Sequence, residues 1–205
     1  KGASLGTDPI DGEPFRFRPC YPVTVWPIDV TGAAVQRSSG PLPATRWKES
    51  VRTRIRLELA TFGKKMPVEA LEFDRLRFFL NAPPQLAYQL YEAIFNNAAG
   101  VVVSGEADES RMVPLDRDCI RLVGFERDEA LVEAQPRSLP AYELLTEYFV
   151  FPQKFLFFDV VGLDRNVLRP LEGCRTISID ICLDRDLESV ERYVRTDTFQ
   201  LGCCP

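Results

Sequence analysis

Glu143 and Glu147 lie four residues apart in a stretch of helical character, so their carboxylates would share one helix face. Such a pair could work as general acid and base. The same spacing commonly marks a solvated face, and a solvated face is the expectation for this pair. Asp159, three residues before Gly162, is expected to accept backbone amides in the turn that ends a strand. Arg52, Arg54 and Arg56 alternate along another segment and would form a basic strip on one strand face. A solvated edge or an acidic partner suits that strip better than RNA, because no stacking aromatics are interleaved with it.

The sequence contains no histidine. A histidine-dependent nucleophile and a Cys/His zinc site are thereby excluded within this chain. It has neither a GxxxxGK(S/T) phosphate loop nor a GxGxxG turn, and Ser104-Gly105 is not part of a G-x-S-x-G elbow. Of the six cysteines, Cys20, Cys119, Cys174 and Cys182 stand singly among strand-forming residues, Cys203 and Cys204 are adjacent, and no CxxC occurs. Buried reduced thiols in a reducing cytoplasm are the expectation, ahead of disulfides or a metal. No catalytic residue, cofactor or metal is expected.

The 205 residues are 45% hydrophobic and 27% charged, the balance of a folded globular chain. A chain of this length buries roughly 70% of the surface it exposes when unfolded. Thirty acids against 25 bases give a net charge of −5, which argues against nucleic acid as the partner. No apolar run approaches the ~20 residues of a membrane helix. The longest, Tyr148 to Val161, is broken by Pro152, Lys154 and Asp159. No apolar stretch follows Lys1-Gly2-Ala3-Ser4, so no signal peptide is expected, and both ends read as cut from a longer chain.

Period-two alternation marks the strands. Phe15 to Arg18 and Val23 to Trp26 are short and bounded by prolines. Val51, Thr53, Ile55, Leu57 and Leu59 would face a core, with Arg52, Arg54, Arg56 and Glu58 outside. Further strands are expected at Leu76 to Asn81, Val101 to Val103, Cys119 to Phe125, Lys154 to Val161 and Thr176 to Leu183, with an unfinished one at Thr198 to Gly202. Helices are expected over about 84–97, opened by Pro83-Pro84, over Pro140 to Phe149, and over Leu187 to Tyr193. Ser104 to Arg111 is a polar loop, and the acidic stretch Glu126 to Arg137 is the best internal boundary. The expected class is α+β, with mixed, largely antiparallel sheets and a few short helices. Residues 1–128 would form a β-rich domain with one helix, and 137–205 a second α+β domain continuing beyond the fragment. The likeness of Arg52 to Leu59 and Arg175 to Leu183 is compatible with a weak internal duplication.

The stretch Pro140 to Leu163 (PAYELLTEYFVFPQKFLFFDVVGL) resembles the signature of the TssF family, also called VasA or ImpG, of the bacterial type VI secretion system. Tyr21-Pro22-Val23 with Trp26-Pro27, Leu76 to Leu80 before Leu90-Tyr91-Glu92, Gly124-Phe125 before Asp128 to Leu131, and Thr198 to Cys203 are similar to further landmarks in the same order. The resemblance implies a cytoplasmic baseplate wedge component, without enzymatic activity, in a complex docked at the inner membrane. Its implied partners are TssG, TssK, TssE, the VgrG spike and further TssF copies, and it would be similar to contractile-phage baseplate wedge proteins. Within the signature, Tyr142, Tyr148, Phe149, Phe151, Pro152, Lys154, Phe155, Phe157, Phe158, Asp159 and Gly162 are the candidates for core or partner contact.

Read physically, Phe155 and Phe157 would point to one face of a strand and Leu156 and Phe158 to the other. A strand apolar on both faces must be covered on both, by an internal core or by a partner subunit. A carbohydrate-binding or carbohydrate-cleaving β-rich domain is the rival expectation. It requires a cleft holding paired acids such as Glu143 and Glu147.

Overall fold

The computed structural model describes residues 3–9, 12–20, 22–63, 66–71, 73–105, 111–132 and 139–205. Tyr21, positions 106–110 of the expected polar loop and the end of the acidic stretch (133–138) lie outside them. A small ribbon comes first, β1 (Leu5–Gly6) against β2 (Arg16–Phe17). β3 (Ile28–Arg37), β4 (Thr53–Thr61), β5 (Arg75–Leu80), α1 (Pro84–Asn97), β6 (Ala98–Gly105), β7 (Met112–Asp116) and β8 (Ile120–Leu122) follow. The second half supplies α2 (Pro140–Val150), β9 (Phe157–Val161), α3 (Arg165–Leu168), β10 (Thr176–Leu183), α4 (Glu188–Glu191) and β11 (Phe199–Gln200). The expected α+β class holds. The strands form antiparallel ladders in two main sheets, ordered β3-β4-β10-β6-β7 and β11-β5-β9-β8.

Alternation explains the core. Ile55, Leu57 and Leu59 of β4, Ile177, Ile179 and Ile181 of β10, and Val101 and Val103 of β6 point inward from the first sheet. They share one core with Leu76, Phe78 and Leu80 of β5 and Phe158 and Val160 of β9. The apolar stripe of α1, Leu86, Leu90 and Ile94, enters the same core. Across the outer face of the first sheet lies Trp47. A Cβ at Gly100 would sit 2.4 Å from its ring, so only glycine admits that close approach.

Val23 to Trp26 forms no strand, and three larger expectations change at this level. The chain does not divide at the acidic stretch, because each main sheet mixes strands from both sides of it: β10 lies between β4 and β6, and β9 between β5 and β8. The two similar segments are therefore neighbours in one ladder, with Ile181 opposite Ile55. The arginine strip is also no solvated edge. β4 is flanked on both sides, and Asp180 stands opposite Arg56 in register. Arg56 Nε and Nη2 donate to its two oxygens at 2.8 and 2.9 Å, and Arg54 Nη1 lies 3.6 Å away. A carboxylate as buried as Asp180 needs such charges beside it. The segment after α2 is a 3-10 turn (Pro152–Phe155), so β9 begins at Phe157, three residues later than expected.

Candidate protein-interaction site

The outer face of the second sheet carries the same device as the first. Asp159 of β9 stands opposite Arg77 of β5, whose Nε and Nη2 donate to its two oxygens at 2.7 and 2.8 Å, with Arg75 Nη1 at 3.8 Å. Asp159 thus sits inside the ladder instead of capping the turn at Gly162. The cap that follows comes from Asp164, which accepts the amides of Asn166 and Val167 at 2.7 and 3.2 Å. Arg77 Nη2 also reaches Glu129 Oε1 at 3.3 Å. The other oxygen of Glu129 accepts the amide of Gly124 at 2.6 Å, which ties the loop after β8 onto the sheet.

On this loop rests α2. Pro140 opens it at a position where no intrahelical donor is needed, and Pro152 lies just past its end. Its one buried residue is Glu147. One oxygen of Glu147 accepts the amides of Leu131 and Val132 at 2.7 and 3.2 Å; the other pairs with the ammonium of Lys154, which is fully buried. Lys154 in turn touches the loop: a Cβ at Gly124 (φ +99°) would stand 2.9 Å from its carbonyl oxygen. Helix, 3-10 turn and loop are thus joined through a polar centre. The helix inverts the usual pattern, with its acid inside and its rings outside.

Sorted by position, the signature residues fall into two groups. Lys154, Phe155, Phe157, Phe158 and Asp159 are buried. Phe158 enters the main core, stacked on Phe78 at 5.3 Å, while Phe157 packs with Val123 and Phe79 on the opposite side of β9, so the strand is covered on both faces within this chain. Phe155 is not on the strand; it belongs to the turn, against Phe125 at 5.0 Å and Tyr148 at 6.0 Å. Pro152 is half-buried and Gly162 exposed at positive φ. Tyr142, Tyr148, Phe149 and Phe151 are exposed, Phe149 to 76%. Leu139, Leu145 and Val150 extend the same apolar surface. Sequence reasoning missed Glu147 as an anchor, and it missed the exposed Leu139, Leu145 and Val150 altogether. A helix apolar on nearly all sides with one inward acid was the available signal.

The paired-acid reading fails on this geometry. Glu147 is spent on Lys154 and two amides, and Glu143, one turn away, is half-buried on the helix rather than in a cleft. A groove lies elsewhere, between Trp26, Phe62 and Leu201, with Asp29, Asp74, Arg75 and Arg77 on its walls, and it contains neither glutamate. Among the described residues no group of His, Cys, Asp or Glu is placed to hold a metal ion. The six cysteines carry thiols and not disulfides. Cys119 and Cys182 are buried, and desolvation pushes both from 9.0 to about 12. The other four are half-buried, less than the sequence led us to expect, with Cys20, Cys203 and Cys204 gathered against Val123 and Phe157. No helix among the described residues is long and apolar enough to cross a membrane.

In space the chain is similar to one chain of the TssK-TssF-TssG baseplate subcomplex of the type VI secretion system, solved by cryo-electron microscopy. The TM-score is 0.73 at 19% identity, covering 99% of this chain and 36% of that one, and the likeness shows a shared fold. The family model for the type VI secretion system protein TssF matches residues 1–205, and the chain belongs to that family. Type VI secretion system component TssF1 of Pseudomonas aeruginosa is 33% identical to it over 175 residues, 82% of this chain and 28% of that protein. The chain therefore spans about a third of the length of these relatives.

Proposed function

We propose that this chain is a structural part of a type VI secretion baseplate, working through protein-protein contacts and not through catalysis. Family membership supports the assignment, and the observation that carries the mechanism is the outward aromatic side of α2. Monomeric surfaces rarely keep so many contiguous large apolar side chains in water, and such patches mark sites that another protein covers. The sheets give a rigid body, the buried Glu147–Lys154 pair fixes the helix on it, and Tyr142, Tyr148, Phe149 and Phe151 are the residues offered to a partner. By likeness to the solved subcomplex, TssG and TssK are the first partners to test; TssE, the VgrG spike and further copies of the chain belong to the wider assembly. The working place of such a part is a baseplate docked at the inner membrane on the cytoplasmic side.

The experiment is co-purification of the full-length protein with TssG and TssK, comparing wild type with Tyr142→Glu/Phe149→Glu. Both positions are exposed, so the variant should keep its melting temperature within a degree or two of wild type, as surface changes do. Assembly should drop at least tenfold, as expected where aromatic anchors are lost. Undiminished assembly by a folded double variant would remove α2 from the contact surface.

A further inference from the structure

We propose that the arginine end of β4, Arg52 and Arg54, receives an acidic segment of a different subunit, whose carboxylates complete ion pairs that this chain leaves open. This face is distinct from α2, and its reading rests on the baseplate assignment.

The charge clusters of the two sheets are built alike but balanced differently. On the second sheet Arg75 and Arg77 meet two carboxylates, Asp159 and Glu129. On the first, Arg56 takes both oxygens of Asp180, and Arg54 is left with an ion pair at 3.6 Å, longer than a hydrogen bond. The Arg54 side chain is only 8% exposed, and a cation so enclosed calls for close acceptors. Its Nη2 lies beside the exposed Gly40, where a Cβ would stand 3.6 Å away, so no side chain of that turn residue stands over it. Two positions back, Arg52 is exposed and has no ion pair among the described residues. The ladder continues through it: Ser38 N–H donates to its carbonyl at 2.7 Å, and its own N–H to the Leu183 carbonyl at 2.8 Å. Alternation then sets its side chain on the same face as that of Arg54.

The acids nearby are engaged elsewhere. Glu58 Oε2 lies over Gly32, 2.7 Å from where a Cβ would be, and Asp184 accepts Asn97 Nδ2 at 3.0 Å. Glu188 and Asp116 pair with Arg37 and Arg46, and Glu49 sits next to Lys48 in the 3-10 turn Lys48–Ser50. What remains is a positive spot on a chain of net charge −5, which selects an acid by contrast with its surroundings. A second copy docked on this face about a two-fold axis would set the same arginines against each other. Nucleic acid is disfavoured, because no aromatic side chain is interleaved with the arginines for bases to stack on.

The test uses the full-length protein with TssG and TssK. Arg52→Glu should raise the apparent Kd of assembly about three- to tenfold at low ionic strength. The difference should shrink below about twofold in 1 M salt, where charges are screened within about 3 Å. Arg54→Gln, which leaves Asp180 both bonds from Arg56, should weaken assembly in the same sense. Arg165→Glu, an equal charge change at an exposed position of α3, should assemble as wild type does. Arg52→Lys supplies an amine that a carbodiimide couples to a carboxylate, and the expected crosslink joins position 52 to an Asp or Glu of another subunit. The proposal is overturned by undiminished assembly of Arg52→Glu or by an equal loss in Arg165→Glu. It is overturned as well by a crosslink within the chain or to a second copy, by no crosslink at all, or by wild-type assembly that nuclease abolishes. Any of these, with a wild-type subcomplex that forms, leaves the baseplate reading standing. A wild-type protein that never joins TssG or TssK overturns both.

Discussion

Lys154→Met would strand the Glu147 carboxylate in a site closed to water. Removing one partner of a buried pair costs about 3–5 kcal/mol, and thermal unfolding should show it as a large fall in melting temperature. Adding Glu147→Leu removes the orphan charge, yet it leaves the amide of Leu131 without its acceptor, at about 1–3 kcal/mol, while that of Val132, on an exposed residue, turns to water. The double variant should therefore fall between wild type and Lys154→Met. Two buried thiols give a pH dependence of definite sign. Cys119 and Cys182 keep their protons in the fold up to about pH 12, whereas the unfolded chain releases them near 9.0. The folded state then holds more protons, so stability is complete below pH 9 and falls as pH rises toward 12. Tyr91, pushed by burial from 10.0 to about 12, acts in the same direction. Melting temperatures measured across that window should decline, and less steeply in Cys182→Ala. At this scale the sequence displayed the right charged residues but not their neighbours. Glu147 is seven positions from Lys154 and Asp159 is eighty-two from Arg77, so only the chain's path brings them together.

Elements were easier to read. The helices α1 and α2 and the strand β4 were visible from period and punctuation, since Pro83-Pro84, Pro140 and Pro152 mark helix ends whatever the tertiary context. The orientation of α2 was not visible. A helix apolar around most of its girth reads as buried, and the choice of the acidic side as the inward one was made by Lys154 and by the 131–132 backbone. For the same reason the aromatic signature, taken as one cluster at first sight, divides at the 3-10 turn into a buried part and an exposed part. The mounting of α2 depends on a backbone approach at Gly124. An alanine there meets both positive φ and a carbonyl oxygen 2.9 Å from its Cβ. Gly124→Ala should destabilise the protein by about 1–3 kcal/mol. Amides of 140–150 should exchange faster with deuterium than in wild type, while those of β10 keep most of their protection.

For the whole molecule, the sequence showed the class but not the plan. Local alternation reports which face of a strand is buried, and it carries no information on which strand lies next to it, so a composition break at 126–137 looked like a domain boundary. The sheets run through it. A polypeptide of residues 1–128 would lack β9, β10 and β11, leaving β4 and β6 each with one open edge and β5 and β8 with no partner strand. It should be recovered as aggregate, whereas 1–205 should be soluble; a soluble 1–128 with cooperative unfolding would contradict the interleaved topology.

That interleaving sets a clock on biosynthesis. The middle strand of the larger sheet, β10, is among the last parts of this stretch to leave the ribosome, while β4 and β6, which flank it, emerge much earlier. Each waits with an open edge until translation delivers the strand that fits between them, so maturation is gated by chain elongation and the growing chain must be shielded from sticking to its neighbours.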